Sequence, residues 1–148
     1  MITLAAAKKI SIQKINTLSP EFAARVFDWY NEITGTGINA YIYCGFRTFK
    51  EQDDLYKIGR EVSGRKVTNA RGGQSFHNYG RAFDWVPLTA NDKNPEMFEA
   101  AWSNSYAYEQ GQLIAAKHQL RWLSWETPHL EDANFKDWKD LQAYSKRN

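Results

Sequence analysis

With 148 residues and a formal net charge of +2 at pH 7, the chain fits one domain of common size and is only mildly basic. Its lysines and arginines are dispersed among acidic residues, which argues against a nucleic-acid-binding surface. Its apolar runs are far shorter than the roughly 20 residues of a membrane-spanning helix, so we expect no membrane insertion.

Caps, turn residues and hydrophobic periodicity divide the chain into short elements. For example, Ser19 followed by Pro20 favours a helix start, and Thr48 with Glu51 forms a capping box. The sequence predicts, in chain order, a helix over 19–33, a strand over 38–46, a helix over 48–60, a long loop over 61–74, a strand over 81–88, one or two helices over 95–123 with a possible break near Gly111, an extended segment over 127–132, and a helix over 134–144.

These elements indicate an α+β fold, in which helices cover a small, mainly antiparallel sheet. Alternation over 81–88 places Phe83 and Trp85 on one face of a strand and Asp84 on the other. The single Cys44 cannot form an intramolecular disulfide, and its apolar neighbours favour a small core residue over a reactive thiol.

The stretch "SFHNYGRAFDW" contains two candidate metal ligands, His77 and Asp84. Residues seven apart face opposite sides of a straight strand, so the two side chains could meet only if the chain bends. Gly80 permits such a bend. A surface loop that ends in a hydrogen-bonded carboxylate is the alternative interpretation.

The stretch "WETPHLED" adds a third candidate ligand, His129, and a second acid, Glu126. Pro128 excludes a helix interior, but a tight extended turn could project His129 toward a metal. Two imidazoles and one carboxylate make a three-ligand zinc set, which leaves the fourth position open for water. Glu126 would then be free for proton transfer.

These two stretches, together with "GFRTFKEQ", resemble the zinc peptidases of the D-Ala-D-Ala carboxypeptidase and L-alanyl-D-glutamate endopeptidase superfamily. The blocks S-x-H-x-x-G-x-A-x-D and [ED]-x-P-H occur in the family's order, and "INTLSPEF" is similar to the opening of its phage endolysin branch. The resemblance extends from about Ile15 to Leu130. It is less close at "LRWLSWE", where many relatives carry Trp-Gly-Gly, and at Leu130, where phenylalanine is usual.

The resemblance implies zinc as the cofactor, held at the sheet by His77, Asp84 and His129. It also implies two catalytic residues, the acid/base Glu126 and the oxyanion- or carboxylate-binding Arg47. Two further residues would bind substrate, namely Gln52 and Ser75. By contrast, His118 is expected to be an exposed or capping histidine and Asp132 a loop carboxylate, neither with a ligand role. Trp122 and Trp125 are expected to pack, with a role as sugar platforms as the alternative.

The function implied by the resemblance is a phage-type endolysin that hydrolyses the L-Ala–D-Glu bond of peptidoglycan stem peptides. A D-Ala-D-Ala carboxypeptidase would share the same site, and a non-catalytic zinc-containing wall-binding module is a further alternative. We expect one catalytic domain over 1–148 without a separate wall-binding domain, and a monomer. Without a recognisable signal peptide, synthesis would occur in the host cytoplasm, with access to the wall after membrane permeabilisation.

Overall fold

The computed structural model describes residues 1–147 and has an α+β architecture. The α-helices are α1 (Leu4–Ile15), α2 (Pro20–Gly35), α3 (Phe49–Lys57), α4 (Ser105–Lys117) and α5 (Trp138–Arg147). The strands are β1 (Asn39–Cys44), β2 (Ala82–Ala90), β3 (Phe98–Ala100), β4 (Leu120–Leu123) and β5 (Glu126–Asp132). A 3₁₀ helix covers Phe76–Tyr79. Within residues 1–147, no helix combines the length and apolar character needed to cross a bilayer.

The strands form one antiparallel sheet in the order β1-β2-β5-β4, and β3 pairs with the far end of β2. Strand β2 is therefore central, with β1 along one edge and β5 and β3 along the other. Its pairing places Asp84 beside Cys44 on β1 and His129 on β5. The predicted α+β fold with a small antiparallel sheet is confirmed.

The main hydrophobic core lies on the face of β2 that carries Phe83 and Trp85, as the alternation predicts. Both rings pack against Trp29 of α2, with centroid distances of 5.1 Å. The bulky aromatic side chains thus occupy one face of the sheet. Asp84, which lies between them in the sequence, is left to project from the opposite face.

The prediction of helices throughout 95–123 is wrong at both ends, because this segment contains β3, then α4, then β4. The expected break near Gly111 is also absent from α4. A Cβ atom there would lie only 2.4 Å from Trp85, so glycine serves close packing of α4 on the core. The Gly111 carbonyl accepts a hydrogen bond of 2.9 Å from Trp29 Nε1.

Helix α1 has no counterpart among the predicted elements, and its apolar side is short of large residues. It buries Ala7, Ser11 and Ile15, and the Ser11 hydroxyl accepts a hydrogen bond from the Ile42 N–H of β1. At the other end of the chain, α5 begins at Trp138, later than the predicted residue 134.

Candidate metal centre

Three elements bring the predicted ligands to one place on the sheet. The β2–β5 pairing sets Asp84 opposite His129, and the 3₁₀ helix carries His77 just before β2. Gly80 ends that helix in the left-handed conformation, with φ +66°, and turns the chain into β2. The bend predicted from Gly80 is therefore present.

An irregular β4–β5 pairing places Glu126 on the same side as His129. Trp122 pairs with Leu130, whereas the next residue, Leu123, pairs with Glu126. Residues 127–129 therefore bulge out of the β4–β5 ladder, although His129 stays paired with Asp84 of β2. As a result, Glu126 Oε2 comes within 4.0 Å of His129 Nδ1. The Glu126 side chain is about half exposed, at 52%, so its carboxylate can reach solvent.

Asp84 lies between the two imidazoles. Its Oδ1 atom is 3.3 Å from His77 Nε2 and 3.3 Å from His129 Nδ1. Neither contact has hydrogen-bond geometry, and all three atoms are buried without a hydrogen-bond partner in the described part of the chain. Leaving such an atom unpaired typically costs about 1–3 kcal/mol, so three of them around Asp84 favour a bound cation there.

The outer nitrogens of both rings have acceptors, which fixes which nitrogen faces the centre. His77 Nδ1 is 2.9 Å from the Gly45 carbonyl, and His129 Nε2 is 2.8 Å from Glu131 Oε1. Because a carbonyl or carboxylate oxygen can only accept, each outer nitrogen carries the hydrogen. In the neutral form of each ring the inner nitrogen therefore offers a lone pair, as in metal sites where a second contact orients each histidine.

The electrostatics of the metal-free centre favour charge separation. Burial lowers the pKa of His77, but the Asp84 carboxylate and the Cys44 side chain beside it outweigh burial and raise that pKa to about 10. Burial raises the pKa of Asp84, yet His129 and His77 hold it well below the ordinary value. The centre therefore contains an ionised carboxylate between two imidazoles that attract protons.

Asp84 belongs to two groups whose donor atoms lie within 4.8 Å of one another, one with Cys44 and His77 and the other with Glu126 and His129. The predicted zinc set takes one imidazole from each group. Its ligand assignment stays a prediction, which the donor chemistry and the unpaired atoms support.

Cys44 lies beside this centre instead of in the core. It is only partly buried, and its Sγ atom lies 3.9 Å from His77 Nδ1. The same sulfur accepts a hydrogen bond of 3.3 Å from Arg47 Nη2. Burial raises the pKa of the thiol, but His77 and Arg47 outweigh that effect and lower it. The expected role as a small core residue is therefore wrong.

Arg47 and Ser75 line a cleft of about 380 Å³ together with the candidate ligands. Ser75 also caps the 3₁₀ helix by accepting a hydrogen bond from the His77 N–H. Gln52 is fully buried, accepts from Arg47 Nη1 at 2.9 Å and donates to the Ala70 carbonyl at 2.9 Å. It thus joins Arg47 to the 61–74 loop, and its contact with substrate stays a prediction.

Sequence reasoning missed Glu131, the outer partner of His129. Arg121 Nη2 holds its carboxylate at 2.6 Å. A usable signal was present, because residues two apart in a strand share a face and Glu131 follows His129 by two.

Four other residues were expected to have no part in metal binding. His118 caps the end of α4 and contacts Glu32 at 3.0 Å, away from the centre, as expected. Asp132 is a fully buried strand residue paired with Arg25 and Arg81, where a loop carboxylate was expected. Trp122 and Trp125 are exposed, so the expectation that they pack is wrong.

Comparison with known proteins identifies a family and a partial relative. Residues 15–138 match the family described as VanY, D-alanyl-D-alanine carboxypeptidase. A stretch of 50 residues is 61% identical to the peptidoglycan L-alanyl-D-glutamate endopeptidase CwlK of Bacillus subtilis (strain 168). That stretch covers 34% of this chain and 30% of the relative.

Proposed function

This chain belongs to the D-alanyl-D-alanine carboxypeptidase family VanY, and from that premise we propose that it is a zinc endopeptidase that hydrolyses the L-Ala–D-Glu bond of peptidoglycan stem peptides. The choice of bond is supported by the stretch of 61% identity to an endopeptidase of that specificity. The observation that carries the proposal is the cluster of three buried, unpartnered donor atoms beside an exposed acid.

His77, Asp84 and His129 would hold the zinc through the three inner atoms. A zinc ion bound there supplies a positive centre that lowers the pKa of water and polarises a carbonyl oxygen. Asp84 offsets one unit of the ion's charge and leaves the centre net positive. The outer contacts to Gly45 and Glu131 fix the orientation of both rings.

Glu126 would act as the acid/base. Its carboxylate is half exposed and lies 4.0 Å from the inner nitrogen of His129, so it is positioned to take a proton from water at the centre. The same carboxylate would then deliver that proton to the leaving amine of D-glutamate. Arg47, held by Gln52, would stabilise the developing oxyanion or a substrate carboxylate through its planar guanidinium.

Mass spectrometry of digested muropeptides, with and without a chelator, tests the proposal directly. We expect products with a new N-terminal D-glutamate, and we expect the chelator to abolish them. The second candidate function, D-Ala-D-Ala carboxypeptidase, is supported by the family's own description and would instead release free D-alanine. Release of D-alanine without new D-glutamate termini would refute the endopeptidase proposal.

Substitution Glu126→Ala separates an enzyme from a non-catalytic wall-binding module. We expect zinc content to stay and the hydrolysis rate to fall by about 10² to 10⁴, because zinc binding does not need this carboxylate. His77→Ala or His129→Ala should lose metal as well as activity, which emission spectroscopy of the purified proteins would show. Unchanged lysis by Glu126→Ala would contradict the acid/base role.

We extend the proposal to a phage-type endolysin that is made in the host cytoplasm and acts after the inner membrane opens. The support is the similarity of "INTLSPEF" to the endolysin branch. Expression in a bacterial host should cause lysis only when a membrane-permeabilising protein is co-expressed. The Glu126→Ala variant is the matched control and should not lyse the host, whereas lysis by that variant would argue against an enzymatic cause.

A further inference from the structure

A second groove, with a volume of about 440 Å³, adjoins the candidate metal centre. Residues 67–70, Gln74, Glu126, Trp125 and Trp138 line it. Glu126 and part of the 67–74 segment also line the cleft that contains the predicted ligands, whereas Asn69, Trp125 and Trp138 line only the groove. The groove is therefore a direct continuation of the proposed site, beginning at the acid that would transfer the proton.

The Trp125 side chain is mostly exposed, so its burial contributes little to the stability of the fold. It lies in the two-residue turn between β4 and β5, and 79% of it is exposed to solvent. An indole is among the largest apolar surfaces a side chain can present, and its flat face suits stacking on a ligand where it lines a groove. Its neighbour in the groove, Trp138, is partly buried at the start of α5 and forms a second aromatic wall.

The charge of the groove differs from that of the cleft. Among the described residues that line the groove, Glu126 alone is ionisable, and the others are apolar or carry neutral amide and hydroxyl groups such as those of Thr68 and Asn69. Arg47 lines the cleft and not the groove. A neutral ligand with both an apolar face and many hydroxyl or amide groups suits such a surface, and a sugar has that chemistry.

We propose that this groove binds the glycan side of the substrate, the N-acetylmuramoyl group, with Trp125 as the stacking platform. The inference rests on the proposed function. In a stem peptide cut between L-Ala and D-Glu, the L-alanine side leads to the neutral muramoyl sugar, and the D-glutamate side carries the carboxylates. The carboxylate-bearing half fits the part of the cleft with Arg47, and the sugar-bearing half fits the groove, whose lining contains Trp125 and lacks that arginine.

Paired substrates isolate this contact. One is an N-acetylmuramoyl stem peptide, and the other is the same peptide with an N-acetyl group in place of the sugar. We expect Trp125→Ala to lower kcat/KM of the zinc-loaded protein about 10-fold on the muramoyl substrate and less than about 2-fold on the sugar-free one. Trp125→Phe should retain part of the preference. Tyr106→Ala, which removes another exposed aromatic ring away from the groove, is the matched control and should change neither rate.

Equal losses on both substrates, or no preference for the sugar in the wild type, would overturn the proposal. If the zinc-loaded wild type cleaves neither substrate, the proposed function is wrong. A binding measurement then tests separately whether the groove binds a glycan. The probe is then N-acetylglucosaminyl-N-acetylmuramoyl-L-alanine amide, which is neutral as the substrate is at this position, followed through the indole N–H signal that disappears in Trp125→Ala. A shift of that signal on titration supports glycan binding, and an unchanged signal refutes it.

Discussion

Glu131→Gln tests whether the outer contact of His129 tunes the proposed zinc site. The Glu131 carboxylate is buried and lies 2.8 Å from His129 Nε2. Burial raises its pKa, but His129 and Arg121 outweigh burial and lower it, so the group is ionised at neutral pH. Glutamine keeps the size and an acceptor oxygen and removes the negative charge.

The expected loss of zinc affinity depends on whether the new side chain still offers His129 Nε2 a hydrogen-bond acceptor. Loss of an outer contact of this kind costs about 10- to 100-fold in metal affinity, or about 1.4–2.7 kcal/mol. We expect Glu131→Gln near the lower end, because its amide oxygen can still accept from the imidazole. Glu131→Ala removes the acceptor and should approach the upper end. The exposed Glu109 on α4 provides the control Glu109→Gln, which should leave zinc affinity unchanged.

Competition with a chromophoric chelator at neutral pH measures the zinc dissociation constant of each variant. Circular dichroism of the metal-free proteins is needed alongside, since Arg121 loses its 2.6 Å partner in both variants. If both variants fold and bind zinc within about twofold of the wild type, the idea that this contact supports a metal ligand is wrong.

Three further predictions concern the support of the site. Asp132→Asn should lower the free energy of unfolding in urea by about 3–5 kcal/mol, because the fully buried Asp132 carboxylate pairs with two partly buried arginines that would lose their counter-charge. The exposed Asp92→Asn is the control and should change this free energy little, so equal effects of the two variants would refute the argument. Gly111→Ala should cost about 1–3 kcal/mol in thermal unfolding through collision with Trp85, and an unchanged midpoint would contradict that packing. Because the pKa of His77 is about 10 without metal, the ring is protonated at pH 7 and must lose a proton to bind zinc. Zinc binding should therefore release protons and weaken as pH falls, and calorimetry that shows no buffer dependence would exclude this.

Features that depend on neighbours in the chain were predictable from sequence. The capping box of Thr48 and Glu51 forms as expected, because both hydrogen bonds close within one turn. Alternation along β2 correctly placed Phe83 and Trp85 on one face and Asp84 on the other, because successive side chains of a strand point to opposite faces whatever its partners are. The candidate site residues came from family resemblance, and in the structure all of them except Gln52 line one cleft.

Features that depend on distant pairing were not predictable in this way. Strand β4 has only four residues, and its hydrogen-bond partner β5 defines it as a strand. Periodicity over 95–123 could not reveal that pairing, so the segment resembled continuous helix. The exposure of Trp125 has the same origin, since it results from the tight turn that joins the two strands.

The unpartnered atoms favour a metal site over a buried histidine–carboxylate cluster that serves stability alone. In a cluster that serves stability alone, Asp84 would accept hydrogen bonds from both rings, as Glu131 does from His129. Instead, the outer nitrogens are paired and the three inner atoms are not. The 3.3 Å ion contacts of Asp84 with both rings compensate only part of this burial, and a ligand that binds all three atoms at once would compensate the rest. A divalent cation would do so while leaving a position open for water. The three inner atoms are therefore stronger support for metal binding than the sequence motif alone.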